Sequence, residues 1–321
     1  MRTRQLGRGG PAVSVIGYGA WPLSNNMGAV SDRDARASVE EALARGVTVI
    51  DTAEVYGPSE ERLGSLLRPH RERIFLATKV SGSNLTSAHV REAGETSLRR
   101  LQTEVLDLYQ IHWFDDRQPL EEGLETMAAM QAEGKIRYLG LSNFDVPQME
   151  RALKVAPIQS LQPRYNMFDR QIEAAILPFC REHGIGILAH SPLGKGLLAG
   201  KYRPGHAFAL DDERSQFDRF KGEPFAAYIA KADRLQAIAA ARGLTLPQLA
   251  VAWTLRAEAV TVCLAGAKDA QQARENAAAG DVVLSAEELR QIEAMLAEGE
   301  GEEHEHEQEH EQEQEHEHEH E

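Results

Sequence analysis

The chain has little cysteine: two residues, Cys180 and Cys263, in 321. That excludes a disulfide framework and sets a reducing, cytoplasmic compartment as the expectation. No run approaches the ~18 apolar residues that a membrane helix needs, so no membrane partner is expected. The first twenty residues carry three arginines but no apolar stretch of the kind a secretory signal requires. Two common phosphate-binding loops are missing as well, since neither G-x-G-x-x-G nor G-x4-G-K-[ST] occurs.

Basic residues are absent from one segment, and this distorts the net charge of −15. Residues 298–321 hold thirteen glutamates, six histidines and no Lys or Arg, and removing thirteen negative charges leaves −2 for the rest. A nearly neutral body has no basic footprint for nucleic acid. The segment has no apolar residue with which to build a core, so a disordered Glu/His/Gln-rich tail is expected there, after a single domain over 1–297. Its alternating histidines could hold a divalent metal weakly, but a solubilising tail or a purification appendage is the plainer reading. No metal is expected in the body of the protein.

What the chain does have is 42% hydrophobic residues in a regular alternation of strand and helix patterns. A hairpin is expected over 2–10, around Gly9-Gly10. Strands then follow at 13–17, 47–51, 73–79, 105–112, 136–141, 158–162, 185–190 and 260–264. Helices are expected at 31–45, 59–67, 86–101, 119–132, 146–153, 171–183, 246–257 and 269–278. Ser31, Ser59 and Asp269 are placed as caps, and Asp269 with Gln272 suggests a capping box. Eight strands and eight helices in alternation predict an α/β fold, a (β/α)8 TIM barrel, with the hairpin closing its floor. Two extra helices, at 226–241 and 285–296, and a long polar connection at 194–225 interrupt the repeat. A connection of that length in a compact domain is usually functional.

The stretch from Gly46 to Gly64, GVTVIDTAEVYGPSEERLG, is the organising one. Its strand ends in Asp51, and Tyr56 follows after a turn. The next two strands deliver Lys79 and His112. The carboxyl ends of strands are where α/β barrels bind ligands, so an acid, a phenol, an ammonium and an imidazole are expected to meet there. A free phenol titrates near pH ~10. A neighbouring ammonium favours the phenolate, an aspartate would hold that ammonium, and an imidazole can orient a carbonyl oxygen. The set reads as a tuned acid for protonating an oxygen.

These motifs, taken in order, resemble the aldo-keto reductases, in the branch of bacterial general-stress-protein-like members. The resemblance rests on GYGAWPL at 17–23, VIDTAEVYG at 49–57, ATKV at 77–80, LDLYQIHW at 106–113 and GKIRYLGLSNF at 134–144. It continues through LQPRYN at 161–166, SPLGKGLLAGKY at 191–202 and GAKDAQQAREN at 266–276.

The resemblance implies an NADP(H)-dependent oxidoreductase that reduces aldehydes or ketones, a carbonyl reductase or alcohol dehydrogenase in type. Tyr56 would be the proton donor, Lys79 and Asp51 would support it, and His112 would position the carbonyl. The cofactor would lie over Gly19, Ala20, Trp21 and Asp51. Its carboxamide would be clamped by Ser142, Asn143 and Gln162. Ser191, Leu193 and Gly196 would follow the pyrophosphate, and Gly266, Lys268, Gln272, Glu275 and Asn276 the adenosine end. His190 stands where the family usually has an aromatic, often Tyr, under the nicotinamide. Trp21, Tyr56, His112 and Trp113 would wall an apolar substrate pocket.

Lys268 at the 2′-phosphate position, with the negative Asp269 beside it, implies a modest preference for NADPH with NADH usable. Two other activities remain open on sequence: a slow-turnover, cofactor-sensing regulatory subunit like the potassium-channel β subunits, and a Schiff-base aldolase using Lys79. The pairing of Lys79 with Asp51 weighs against the aldolase, because an ion-paired ammonium is a poor nucleophile.

Overall fold

A computed structural model describes residues 1–297; the acidic tail expected at 298–321 lies outside the described residues. Ten strands and ten α-helices are present among them. Thr3–Gln5 (β1) and Ala12–Ser14 (β2) pair antiparallel as a hairpin. The next eight close into a parallel barrel: Ile16–Gly19 (β3), Val49–Asp51 (β4), Phe75–Val80 (β5), Leu106–Ile111 (β6), Ile136–Ser142 (β7), Ser160–Gln162 (β8), Gly186–Ala189 (β9) and Val260–Ala265 (β10), with β10 returning to β3.

Helices alternate with them: Asp32–Ala44 (α1), Ser59–Leu67 (α2), Ser87–Arg100 (α3), Leu120–Ala132 (α4), Val146–Leu153 (α5) and Ile176–His183 (α6). Gly222–Ala241 (α7) precedes Leu246–Thr254 (α8), and Ala270–Ala279 (α9) and Ala286–Ala297 (α10) end the described chain. None of these helices is long and apolar enough to cross a membrane.

Two cores follow from the two-residue period of the strands. Val49, Phe75, Ala77, Leu108, Leu188, Val262 and Leu264 fill the barrel, and Leu6 and Val13 of the hairpin plug its floor. Their neighbours in sequence, such as Ile50, Leu76, Tyr109, Ile187 and Cys263, face outward under the helices. Gly17 belongs to the inner layer because there is no room for more: a Cβ there would sit 2.5 Å from Leu264 and 2.9 Å from Val262. The inward positions one step further up carry Asp51, Lys79, Gln110, Ser142, Gln162 and His190. The same alternation that packs the barrel therefore brings polar side chains together at its carboxyl end.

Several expected boundaries move. The hairpin extends to Ser14, and the first barrel strand starts at Ile16 instead of residue 13. Residues 7–10 make the turn, with Gly7 and Gly9 at φ +61° and +74°, and Val13 pairs with Arg4 in the hairpin. The helix expected over 171–183 divides into a 3-10 turn at Gln171–Glu173 and α6. Pro178 is the cause: its ring cannot share a helix with the carbonyl of Ala174 and it has no N–H to give.

Ser31 caps α1 as expected, accepting from the Asp34 amide. Ser59 does not cap α2, because Pro58 holds that position and the buried Ser59 hydroxyl pairs with Thr52 Oγ1 at 2.9 Å. The 194–225 connection is also less polar than its composition suggests. Leu197, Tyr202, Phe217, Phe220 and Phe225 form a satellite core with Tyr228, and α7 begins at Gly222 instead of 226.

Candidate active site

Lys79 is the centre of the polar group. Its side chain has 0% exposure, and its Nζ donates to Asp51 Oδ1 at 2.6 Å, to the Thr52 carbonyl at 3.0 Å and to Tyr56 Oη at 3.2 Å. Those bonds use the three N–H donors of an ammonium. The other carboxylate oxygen of Asp51 accepts from Gln110 Nε2 at 3.0 Å and Gln162 Nε2 at 2.9 Å, and the two amides are linked at 3.1 Å. A buried ion pair is tolerable only when its remaining polar atoms are satisfied, and here two amides satisfy them. The Tyr56 ring meets Trp21 edge-on at 4.7 Å and His112 at 5.6 Å.

A cleft of about 300 Å³ opens above this group. It is lined by Trp21, Asp51, Tyr56, His112 and Trp113, by Lys201 and Arg214 grouped with Lys268, and by Lys195, which shares Glu213 with Trp21. Lys268 Nζ donates to the Met27 carbonyl, and burial, then the charges of Arg214 and Lys201, push its pKa below the ordinary lysine value. Arg214 is fixed by Asp212 through bonds of 2.8 and 2.6 Å and by Tyr202 Oη at 2.6 Å. Glu213 ties this connection across the cleft mouth, accepting from Trp21 Nε1 at 2.9 Å and pairing with Lys195 at 3.2 Å.

Backbone strain gathers on the same rim. Of the five non-glycine residues at positive φ among the described residues, three line the cleft: Asn143 (57°), Ser191 (55°) and Lys195 (51°). Left-handed conformations in non-glycine residues are costly and concentrate at ligand sites. The Asp269 carboxylate caps α9 at 2.9 Å from the Gln272 amide nitrogen. The expected capping box is incomplete, however, because the Gln272 side chain reaches Asp269 Oδ2 and the Lys268 amide rather than the amide of Asp269 itself.

A sequence profile of the aldo/keto reductase family matches residues 15–297. The chain belongs to the aldo/keto reductase family. It is 34% identical over 301 residues to the aldo-keto reductase YhdN of Bacillus subtilis (strain 168), covering 89% of this chain and 91% of the relative. Among solved structures, the glycerol dehydrogenase AKR11B4 of Gluconobacter oxydans matches with a TM-score of 0.84 and 34% identity, over 92% of this chain and 94% of that one. An aldo-keto reductase of Klebsiella pneumoniae, solved in complex with NADPH, matches with a TM-score of 0.76 and 33% identity, over 92% and 96% of the two chains.

Most residues that the aldo/keto reductase resemblance singled out reach the cleft wall: Gly19, Ala20, Trp21, Asp51, Tyr56, His112, Trp113, Asn143, Gln162, His190, Ser191, Leu193, Gly196, Gly266, Lys268, Gln272, Glu275 and Asn276. Lys79 and Ser142 do not line it. Lys79 lies beneath Tyr56, and the buried Ser142 hydroxyl donates to the Gln162 carbonyl at 2.9 Å.

Sequence reasoning missed Gln110, Lys201 and Arg214. Gln110 had a signal, because it shares the inward face of its strand with Leu108 and His112. Both cysteines are free and buried, and burial pushes the Cys180 thiol up to about 12 and the Cys263 thiol higher. Neither is a reactive thiolate at neutral pH.

Proposed function

We propose that this chain is an NADP(H)-dependent reductase of aldehyde or ketone carbonyls, a carbonyl reductase in type, with Tyr56 as the proton donor. The observation that carries the reading is the Lys79 ammonium held between Asp51 at 2.6 Å and Tyr56 Oη at 3.2 Å, on the floor of a cleft. The cleft suits a nicotinamide dinucleotide phosphate, having amide groups at Asn143 and Gln162 beside Tyr56 and three cations, Lys201, Arg214 and Lys268, gathered on another part of its wall. When bound, that cofactor supplies hydride, which no side chain can.

The rest of the chemistry belongs to the chain's own residues. Trp21, Trp113 and His112 present a carbonyl to Tyr56, with the imidazole orienting its oxygen. Tyr56 gives up the proton from Oη, and the phenolate left behind faces the Lys79 ammonium, which stabilises it. Asp51 keeps that ammonium charged and in place, while Gln110 and Gln162 hold Asp51. Water entering the cleft restores the phenolic proton. The same reading sets the enzyme in the cytoplasm, where its two buried thiols stay reduced.

An aldolase through Lys79 is disfavoured by the same geometry, since all three donors of the ammonium are engaged and the side chain does not line the cleft. A regulatory subunit finds no particular support in the site. Repeated turnover, followed as loss of absorbance at 340 nm with an aromatic aldehyde, tests the proposal. A single stoichiometric burst without further consumption would sink it.

The cationic group changes the expectation for cofactor choice. Asp269 is turned to its helix cap, and Lys201 and Arg214 stand with Lys268, so the lysine does not offset the carboxylate alone. NADPH is therefore expected to bind more tightly than NADH by more than a modest factor. Lys268→Ala should weaken NADPH about tenfold, the loss of one charge-assisted hydrogen bond, and leave NADH nearly unchanged. Fluorescence titration at low salt reads both affinities, and equal losses for the two cofactors would refute the assignment.

A further inference from the structure

His190 does more than floor the cleft. It continues the inward face of β9, two residues beyond Leu188. Its Nε2 lies 2.9 Å from Asn143 Oδ1 and its Nδ1 2.9 Å from Ser191 Oγ. Both partners are in the left-handed region, at φ 57° and 55°. One ring therefore joins the two strained residues that follow β7 and β9.

The direction of these bonds is fixed by what surrounds them. Asn143 Nδ2 donates to Ser142 Oγ at 3.1 Å, and that hydroxyl spends its own proton on the Gln162 carbonyl. Asn143 therefore turns its oxygen to His190. An amide oxygen only accepts, so Nε2 carries the proton and Nδ1 accepts from Ser191. Burial, then the charges of Arg164, Lys79 and Lys195, hold the imidazole well below its usual range, in keeping with a neutral ring.

We infer that His190 is a positioning residue: its imidazole holds Asn143 and Ser191 in their left-handed conformations and fixes the orientation of the Asn143 amide toward the ligand's carboxamide. Of the hydrogen-bonding capacity of that amide, the bonds above take one lone pair of Oδ1 and one N–H of Nδ2. One acceptor site and one donor remain, the complement of a primary carboxamide. The inference rests on the reading of the cleft as a nicotinamide site.

Amide substitutions can separate the two ends of the ring. His190→Gln can place a side-chain N–H near the Nε2 position and keep the bond to Asn143. His190→Asn reaches only the Nδ1 side and keeps the bond to Ser191. His190→Phe keeps neither. The probe is NADP⁺ against its 3-acetylpyridine analogue, in which a methyl replaces the carboxamide nitrogen, with both dissociation constants taken from protein fluorescence titration. Wild type should favour NADP⁺ by about tenfold, the worth of one buried polar group left unpaired. His190→Gln should keep most of that ratio, and His190→Asn and His190→Phe should bring it near one.

Asn143→Ala separates this inference from the reading beneath it. If Asn143→Ala loses the ratio while His190→Phe keeps it, Asn143 contacts the carboxamide without help from His190 and the inference falls. If Asn143→Ala keeps the ratio, another group reads the carboxamide and the inference falls while the reading of the cleft stands; a wild type that binds neither NADP⁺ nor the analogue would remove that reading and the inference with it. Ring-nitrogen NMR of the cofactor-free wild type at pH 7 provides a test that needs no variant to fold. A protonated Nε2 with a bare Nδ1 is expected, and the opposite tautomer or an imidazolium would overturn the inference.

Discussion

Tyr56→Phe is expected to cut turnover by about 10²–10⁴-fold, the usual worth of a positioned general acid, with little change in NADPH affinity or melting temperature. The substitution removes one oxygen and little else. The ring keeps its edge contacts with Trp21 and His112, at 4.7 and 5.6 Å between centroids. Lys79 keeps two of its three acceptors, Asp51 Oδ1 and the Thr52 carbonyl, so no buried charge is stranded. A large loss of rate without loss of stability therefore isolates the proton. Single-turnover kinetics at saturating cofactor make the comparison, and a variant that keeps more than about a tenth of the wild-type rate would mean that the proton comes from elsewhere.

That prediction stands on residues visible in the sequence, and the reason is geometric. Asp51, Lys79 and His112 sit where strand patterns end, and a strand end in a parallel barrel is a fixed position around a ring. A one-dimensional pattern therefore implies a three-dimensional neighbourhood. Gln110 was open to the same logic. On LDLYQIHW the alternation puts Gln110 on the inward face with Leu108 and His112, so a glutamine deep in the barrel required a polar partner, which is Asp51. Lys201 and Arg214 were not open to it. They belong to the connection after β9, whose path depends on Tyr202, Phe217, Phe220 and Phe225 finding one another, and no short-range period announces that cluster. The hairpin boundary slipped for a related reason: the buried stretch from Val13 to Ile16 serves two sheets in succession, and burial does not mark the handover.

Lys79→Met is expected to remove activity and stability together, and a second substitution should part them. Methionine fills much of the lysine's volume but leaves the Asp51 carboxylate, 2% exposed, without its counter-charge. Breaking a buried pair from one side costs about 3–5 kcal/mol, because the remaining ion has been stripped of water and left unpaired. Gln110 and Gln162 still donate to Asp51 at 3.0 and 2.9 Å, so the lower end, about 3 kcal/mol, is expected. In a chain of this size that should appear as a fall in melting temperature of several degrees. Turnover should fall as far as in Tyr56→Phe, since the phenolate would form with no cation beside it. In Lys79→Met combined with Asp51→Asn, the carboxylate becomes an amide that can accept from the same two glutamines. Most of the lost melting temperature should return while turnover stays at the level of the single variant. A single variant as stable as wild type would contradict the buried ion pair, and a double variant that regained its rate would remove Lys79 from the chemistry.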